Sequence, residues 1–302
     1  MEINVIPEKL RCLEIPGRVE IVNGHGQLPL VKISTPWSTA EIYLHGAHVA
    51  GFQKNGEPPL IFMSAKSHFA AGKPIRGGVP ICFPWFGNRD GEPSHGFARF
   101  AEWQLVKTAA APDGTVTVTL ALPGTAGNSS WNSLRTEFAV TVSDKLTMEL
   151  TTTSESCDGA LDIENCLHTY LRVGEISAVT LAGLQGAPFD DFAFGAGGAR
   201  RTADTSALRI TQETNRVYPD HTTAVEIHDE KLRRKIRVEK FNSQSTVVWN
   251  PWTTQKMPED WGANEHLNMV CVESGNVKQN KISLAPGDTA TLKVVLSSAS
   301  LK

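Results

Sequence analysis

The sequence predicts an all-β protein built as one large antiparallel β-sandwich. Many short segments alternate apolar and polar residues, glycine and proline residues separate them, and no long segment repeats apolar residues with the helical period of about 3.6. No change of composition divides the 302 residues, and single sandwiches often reach such lengths. We therefore expect one catalytic domain over residues 1–302.

The strands follow from the alternation, taken in chain order. They are predicted at residues 19–22, 30–34, 40–44, 115–122, 137–153, 161–173, 224–241, 247–250, 269–274 and 290–297. Residues 137–153 predict a hairpin with its turn at 143–145, and residues 224–241 predict a second with its turn at 228–230. The glycine-rich stretch 195–198 predicts a surface turn, because no strand–helix–strand pattern surrounds it.

Charge and hydropathy exclude two kinds of partner. The chain has 29 Lys+Arg against 32 Asp+Glu, a net charge of −3, whereas nucleic-acid binding depends on many clustered cations. No run approaches the roughly 20 apolar residues of a membrane-spanning helix. Residues 1–11 also lack the apolar stretch of a signal peptide. We expect neither a nucleic-acid partner nor a membrane partner.

The cysteines indicate the compartment. The five cysteines are spread along the chain without a C-x-x-C pair, at Cys12, Cys82, Cys157, Cys166 and Cys271. An odd, scattered set in a chain of this size indicates reduced thiols and a cytoplasmic protein. A monomer is expected, since no heptad pattern or exposed apolar helix suggests assembly.

Two neighbouring segments depart from the strand pattern. Residues 73–87 (KPIRGGVPICFPWFG) contain too many prolines and glycines for a regular central strand. This segment predicts a shaped loop in which Arg76 precedes glycines that let the backbone approach a ligand closely. Residues 94–100 (SHGFARF) place His95 and Arg99 in a second such loop.

Two further segments put ionisable groups into strands. In residues 165–173 (NCLHTYLRV), His168 shares a predicted face with Cys166, Tyr170 and Arg172. Glu273 closes the apolar run in residues 269–276 (MVCVESGN). A carboxylate at such a place must be paired or functional, because burying it unpaired is costly.

Taken singly, each residue also has a structural explanation. His168 could be a satisfied core histidine, and Glu273 could accept backbone donors at a strand end. Arg76 and Arg99 could each be a salt-bridge partner. Trp249 fits a core position as readily as a sugar-facing turn within residues 249–252 (WNPW).

The sequence predicts no metal and no cofactor. His45 and His48 have nearly the spacing of metal ligands, but no third ligand clusters with them. No other segment offers a cofactor a site.

In their order along the chain, these segments resemble the hexose-6-phosphate 1-epimerase family, relatives of the aldose 1-epimerases with a galactose-mutarotase type of β-sandwich. The matches are PIRGGVPICFPWFG at 74–87, HGFAR at 95–99, LHTYLRV at 167–173, ETNRVY at 213–218, WNPW at 249–252 and MVCVESGNV at 269–277. The resemblance implies interconversion of the α and β anomers of a hexose 6-phosphate, glucose 6-phosphate being the expected substrate. It implies no cofactor.

The resemblance also implies roles for individual residues. His168 is the expected general acid and Glu273 the expected general base, while His95 matches a second active-site histidine. Arg76 and Arg99 match a basic pocket for the sugar phosphate. Trp249 and Asn250 are expected to contact the sugar.

Two positions depart from the family pattern. Asn215 stands where many relatives have Asp, and Trp85 stands where several have Gln. Both departures bear on sugar preference more than on the reaction.

The reaction suits these residue types, because exchanging anomers requires removal of the C1 hydroxyl proton and protonation of the ring oxygen. Two alternatives remain open at this point. One is an epimerase of unphosphorylated aldoses, which would need no arginine pocket. The other is a non-catalytic carbohydrate-binding β-sandwich, which would gain little from an acid–base pair.

Overall fold

The regular secondary structure is almost wholly antiparallel strand in the computed structural model, which describes residues 6–124, 126–127, 131–193, 198–201 and 203–301. The described strands are β1 (Val19–Asn23), β2 (Pro29–Ser34), β3 (Ser38–Tyr43), β4 (His48–Lys54), β5 (Ile81–Cys82), β6 (Gln104–Ala110), β7 (Val116–Ala121), β8 (Leu134–Val142), β9 (Leu146–Ser154), β10 (Leu161–Ile163), β11 (Asn165–Leu167), β12 (Tyr170–Arg172), β13 (Val179–Ala182), β14 (Phe189–Asp191), β15 (Ala199–Arg201), β16 (Thr214–Pro219), β17 (Val225–Asp229), β18 (Arg234–Phe241), β19 (Ser245–Asn250), β20 (Met269–Asn276), β21 (Ile282–Leu284) and β22 (Thr289–Ser300).

Helical structure in the described residues is short. It consists of the α-helix Glu8–Arg11 and the 3-10 turns His25–Gln27, Ala98–Phe100, Ile176–Ala178, Glu265–Asn268 and Lys278–Asn280. None of these described helices has the length and apolar character needed to cross a membrane. Of the predicted glycine-rich turn at 195–198, residues 195–197 lie outside the described residues.

One large sheet forms the back of the sandwich, in the order β13-β17-β18-β22-β9-β8-β7-β6. Buried and partly exposed residues alternate along β8 and β9, as expected for a sheet with one solvated face. The predicted β8–β9 hairpin is confirmed. The β17–β18 hairpin is confirmed with a shifted turn, because Asp229 is buried in β17 and its carboxylate accepts a bond from Leu232 N at 3.0 Å.

A second sheet faces the first and carries the candidate site. Its order is β15-β14-β16-β19-β20-β11-β5, with β12 also paired to β20. Every residue of β19 and β20 is buried, so both faces of the sheet are covered at these two central strands. The predicted single strand at 161–173 is wrong: the segment forms β10, β11 and β12, with breaks at residue 164 and at residues 168–169.

The core lies between these two sheets and a four-stranded sheet of order β1-β2-β3-β4. Val272 from β20, Phe138 from β8 and Ile33 from β2 belong to one cluster of buried apolar residues. Since alternate residues of a strand point to opposite faces, Val272 in the core directs Glu273 to the other face. The sandwich thus presents β20 with its acidic residue turned away from the core.

Candidate active site

A break in strand pairing positions His168. Strands β11 and β12 both pair with β20, leaving residues 168–169 between them. The His168 N–H donates to Pro80 O at 3.0 Å instead of extending the ladder. This places the imidazole on the same face of the sheet as Glu273.

His168 and Glu273 are in direct contact. His168 Nε2 lies 3.3 Å from Glu273 Oε1, and the Cys166 thiol donates to Glu273 Oε2 across 3.7 Å. The Glu273 side chain is only 1% exposed. The carboxyl group is therefore shielded from solvent, with an imidazole and a thiol as its neighbours.

Burial shifts both pKa values in opposite directions. It raises the pKa of Glu273 well above its usual range. It also lowers the pKa of His168 to about 3, and the positive charge of Arg99 contributes to that decrease. In both cases the low-polarity surroundings disfavour the charged form. An ionised Glu273 here is an unusually strong base, and a protonated His168 is an unusually strong acid.

Aromatic rings enclose the imidazole. His168 stacks on Tyr170 with the ring centroids 4.8 Å apart and the planes at 12°. The rings of His95 and Trp249 meet it edge-on at 5.8 and 6.1 Å. These contacts hold the His168 ring in one orientation toward Glu273.

The loop with His95 folds tightly against the 83–87 segment. His95 has a positive φ of 64° and donates its N–H to Gly87 O at 2.8 Å. A Cβ atom on Gly96 would lie 1.9 Å from Phe83 O, so only glycine fits this approach. Burial, together with the nearby charge of Arg99, lowers the pKa of His95. His95 is thus a neutral imidazole beside His168.

Arg76 faces the site with an acidic partner. Its Nε donates to Asp260 Oδ2 at 2.9 Å, and its side chain is 26% exposed. We expected the neighbouring glycines to let the backbone approach a ligand, and this is wrong. A Cβ atom on Gly78 would instead meet His48 Nε2 at 2.1 Å, so the glycine serves a close contact within the protein.

Arg99 is bonded to the protein through one terminal nitrogen, while its buried Nε lacks a hydrogen-bond partner among the described residues. Its Nη2 donates to Ser94 O at 2.7 Å, and its guanidinium lies over the Phe100 ring at 5.0 Å. Burial lowers the pKa of Arg99, although a guanidinium stays charged at neutral pH. An anion beside Arg99 would supply a hydrogen-bond acceptor for its guanidinium.

These groups line one cavity of about 800 Å³. Its lining includes both members of the His168–Glu273 pair and also His95, Trp249 and Tyr170. The charged residues that line it are four cations and one carboxylate, namely Arg76, Arg99, Lys256, Lys278 and Glu273. The volume lies within the range of small-molecule sites, about 300–1,000 Å³.

Sequence reasoning missed part of this lining. Lys278 follows β20 with a positive φ of 57°, and its Nζ lies 3.4 Å from where a Cβ of Gly87 would be. Lys256 also lines the cavity. A lysine in a loop is ordinary in any sequence, so no signal distinguished either from a surface charge.

Trp249 lines the cavity, as expected for a residue that contacts the sugar. Asn250 does not line it, so its expected contact with the sugar needs correction. Asn250 is fully buried, and its Nδ2 donates to the carbonyl oxygens of His266 and Met269, each at 2.9 Å. Its Oδ1 accepts from Trp252 N at 2.9 Å. With these bonds it anchors the segment that follows β19 and has no surface toward a sugar.

The two family departures lie in different places. Asn215 lines the cavity. Trp85 is not among the lining residues, is 5% exposed, and donates its Nε1 to Pro93 O at 3.0 Å. Of the two, only Asn215 can touch a ligand beside His168.

Potential metal ligands fall into two groups. His45 is bound to Lys73 O at 2.7 Å, and His48 is buried beside Gly78, so this pair faces the protein interior. In contrast, His168, Cys271 and Glu273 bring one ligand atom each to within 4.8 Å of one another. This second group contains the His168–Glu273 contact.

Comparison with known proteins places the chain among sugar epimerases. A model of the aldose 1-epimerase family matches residues 29–297. A protein of Cenchrus ciliaris provisionally named glucose-6-phosphate 1-epimerase is 31% identical over 85% of this chain and 80% of its own length. One of the same provisional name from Escherichia coli is 30% identical over 84% of this chain and 85% of its own.

A solved structure shows the same fold. A protein from Salmonella typhimurium provisionally described as a mutarotase superposes with a TM-score of 0.83. The two are 26% identical, and the match covers 97% of this chain and 98% of that one. The predicted all-β sandwich of the mutarotase type is confirmed.

Proposed function

Because the chain belongs to the aldose 1-epimerase family, we propose that it is an isomerase that interconverts the α and β anomers of a hexose 6-phosphate, glucose 6-phosphate in particular. The substrate follows the provisional names of the relatives. The observation that carries the proposal is the cavity itself, in which four cations surround one buried histidine–carboxylate pair.

Ring opening needs one proton on the pair. Ionised Glu273 removes the proton of the C1 hydroxyl while protonated His168 gives its proton to the ring oxygen. The bond between C1 and the ring oxygen breaks, and C1 becomes an aldehyde carbon. The pair then consists of protonated Glu273 and neutral His168, with the same total number of protons.

The pKa shifts favour this step. Burial stabilises the neutral pair over the ion pair, because both charged forms lose their hydration. Ring opening converts the ion pair into the neutral pair, so the buried surroundings assist proton transfer in that direction. Transfer of one proton from protonated Glu273 to His168, whose nearest atoms are 3.3 Å apart, forms the ion pair.

Ring closure reverses the roles. After rotation about C1–C2, neutral His168 takes the proton from the open-chain hydroxyl and protonated Glu273 gives its proton to the aldehyde oxygen. The ring closes with the opposite configuration at C1, and the ion pair is restored. Atoms and protons balance without a cofactor.

The cations supply the phosphate site. Arg76 uses Nε for Asp260, which leaves its terminal nitrogens available for phosphate oxygens. Arg99 and Lys278 add charge that no cavity-lining carboxylate except Glu273 offsets. A phosphate held by guanidinium groups gains charge-assisted hydrogen bonds and a fixed position, which sets the sugar ring over the pair.

Two-dimensional exchange NMR tests the function. It measures anomer interconversion at equilibrium, so neither anomer has to be isolated. The protein is expected to accelerate exchange of glucose 6-phosphate far above the buffer rate and above its effect on glucose, with Glu273→Gln as the inactive control. Equal acceleration of both sugars would indicate an epimerase of unphosphorylated aldoses, and no acceleration of either would indicate a binding protein.

Location and assembly stay predictions. The five cysteines are free in the structure, which fits the predicted reducing cytoplasm. A monomer remains the expected state.

A further inference from the structure

We propose that His168 and Glu273, which line the cavity, form with the buried Cys271 beside them an inhibitory site for Zn²⁺. Cys271 stands two residues before Glu273 on β20, so both side chains leave the same face of the strand. The three ligand atoms are mutually within 4.8 Å. They come from residues that are buried, at 8% exposure or less.

The spacing suits tetrahedral zinc. Zinc bonds to histidine nitrogen and carboxylate oxygen are about 2.0–2.2 Å, which makes the edge between two such ligands about 3.3–3.5 Å. The distance from His168 Nε2 to Glu273 Oε1 is 3.3 Å. With Zn–S bonds of about 2.3 Å, the edge from sulfur to nitrogen or oxygen is about 3.5–3.7 Å. A sulfur within 4.8 Å of the other two atoms therefore approaches them by at most about 1.3 Å to complete the third corner.

The ligand chemistry also favours zinc. Nitrogen, oxygen and sulfur are typical ligands of zinc. Two of the three residues, His168 and Glu273, line the cavity, so an exchangeable fourth ligand would reach the ion from there. One carboxylate and one thiolate balance the two charges of the ion. The bound group is thus neutral overall, which reduces the cost of holding an ion in a buried place.

Zinc should inhibit the reaction because it binds the same lone pairs that accept protons during turnover. Zinc on Nε2 and on the carboxylate removes both proton carriers of the proposed reaction. The ion also occupies the point where C1 and its hydroxyl must lie, so it competes with the sugar. This consequence rests on the proposed function, whereas the binding of zinc does not.

Cobalt provides a direct test of binding without sugar or turnover. The exposed thiols of Cys12 and Cys157 are first replaced by serine, so that they cannot bind metal. Co²⁺ is then titrated into this protein, and near-ultraviolet thiolate-to-cobalt bands are expected to saturate at one ion per chain. Addition of Zn²⁺ should remove these bands.

Single substitutions identify the sulfur. Cys271→Ser in the same background should lose the thiolate bands and bind zinc more than about 100-fold more weakly, beyond what outer-shell changes cost. Cys82→Ser, a buried thiol outside the group, is the matched control and should bind as before. His168→Ala should also weaken binding, which tests the site even if Cys271→Ser does not fold.

Two results would overturn the site: absence of saturable cobalt bands in the background protein, or unchanged zinc affinity in folded Cys271→Ser. If zinc binds as expected but exchange NMR shows no epimerase activity, the site stands and the proposed function fails. If the enzyme is active and zinc neither binds nor inhibits, the proposed function stands and the zinc site fails.

Discussion

His168 Nε2 lies 3.3 Å from Glu273 Oε1 because the strands on either side of His168 both pair with the strand that carries Glu273. The contact joins a group whose pKa burial lowers to one whose pKa burial raises. Two groups so coupled titrate as a pair. We therefore expect them to work as one unit with a single proton.

Substitution of either member should abolish most of the activity. Glu273→Gln keeps the shape and removes the base, and His168→Asn removes the acid, so kcat should fall by about 10²–10⁴ in each. The double variant should be little worse than the poorer single variant, because each proton movement is useless without the other. Exchange NMR, corrected for the water and buffer rate, gives the values. A near wild-type rate in folded Glu273→Gln would place the base elsewhere.

The pH dependence of kcat should be a broad bell. On the acid side the pair gains a second proton, and activity should fall near the His168 pKa of about 3. On the alkaline side the pair loses its only proton. Because burial raises the pKa of Glu273, this loss should occur at a pH well above the usual carboxylate range. The rate is measured at saturating sugar phosphate, so that ionisation of the substrate phosphate does not alter the pH profile by weakening binding. An acid limb near pH 6.5, the ordinary histidine value, would show that His168 is not shifted.

Loss of an arginine should affect phosphorylated sugar selectively. Arg76→Ala or Arg99→Ala should raise KM for glucose 6-phosphate roughly 10- to 150-fold, the equivalent of one charge-assisted hydrogen bond. KM for glucose should change little. Asp260→Asn is a matched control, because it removes the negative charge beside Arg76 while leaving the guanidinium in place. Equal losses on both sugars would instead indicate a structural arginine.

Removal of the buried carboxylate should stabilise the protein at neutral and higher pH. The folded-state pKa of Glu273 lies above its ordinary value of 4.5, so from there upward the folded state binds more protons than the unfolded state. Stability is therefore lost as pH rises through this window. Glu273→Gln should have a higher Tm than wild type at pH 8, with a gain that shrinks toward pH 4.5. A gain independent of pH would exclude ionisation as its cause.

Lys240 should make the stability of the protein rise with pH, opposite to the effect of Glu273. It is 8% exposed and donates to Ser245 O at 2.9 Å, and no described carboxylate pairs with it. Burial lowers its pKa from 10.5 to about 7, so between these values the unfolded state binds more protons and stability rises with pH. The contribution approaches about 1.4 kcal/mol per pH unit. Between pH 7.5 and 9.5, the stability measured by urea unfolding should change more favourably with pH in wild type than in Lys240→Met, because the Glu273 contribution is common to both proteins.

Sequence patterns were sufficient for the fold class and for singling out several segments that line the cavity. Alternation along residues 137–153 predicted the β8–β9 hairpin, because a two-residue repeat determines which face of a strand is buried. The segments with Arg76, His95, His168 and Glu273 stood out because their residue types are costly or irregular in plain strands. All four line one cavity.

Tertiary structure decided what depends on neighbours distant in sequence. Asn250 turned inward because the carbonyl oxygens of His266 and Met269 lie within its reach. Lys278 reached the cavity because its loop returns beside Gly87. The opposed pKa shifts of His168 and Glu273 arise from burial, which exists only once the sheets have packed. Local patterns determine which face a side chain takes, whereas the strand order across the sheet determines what that side chain meets.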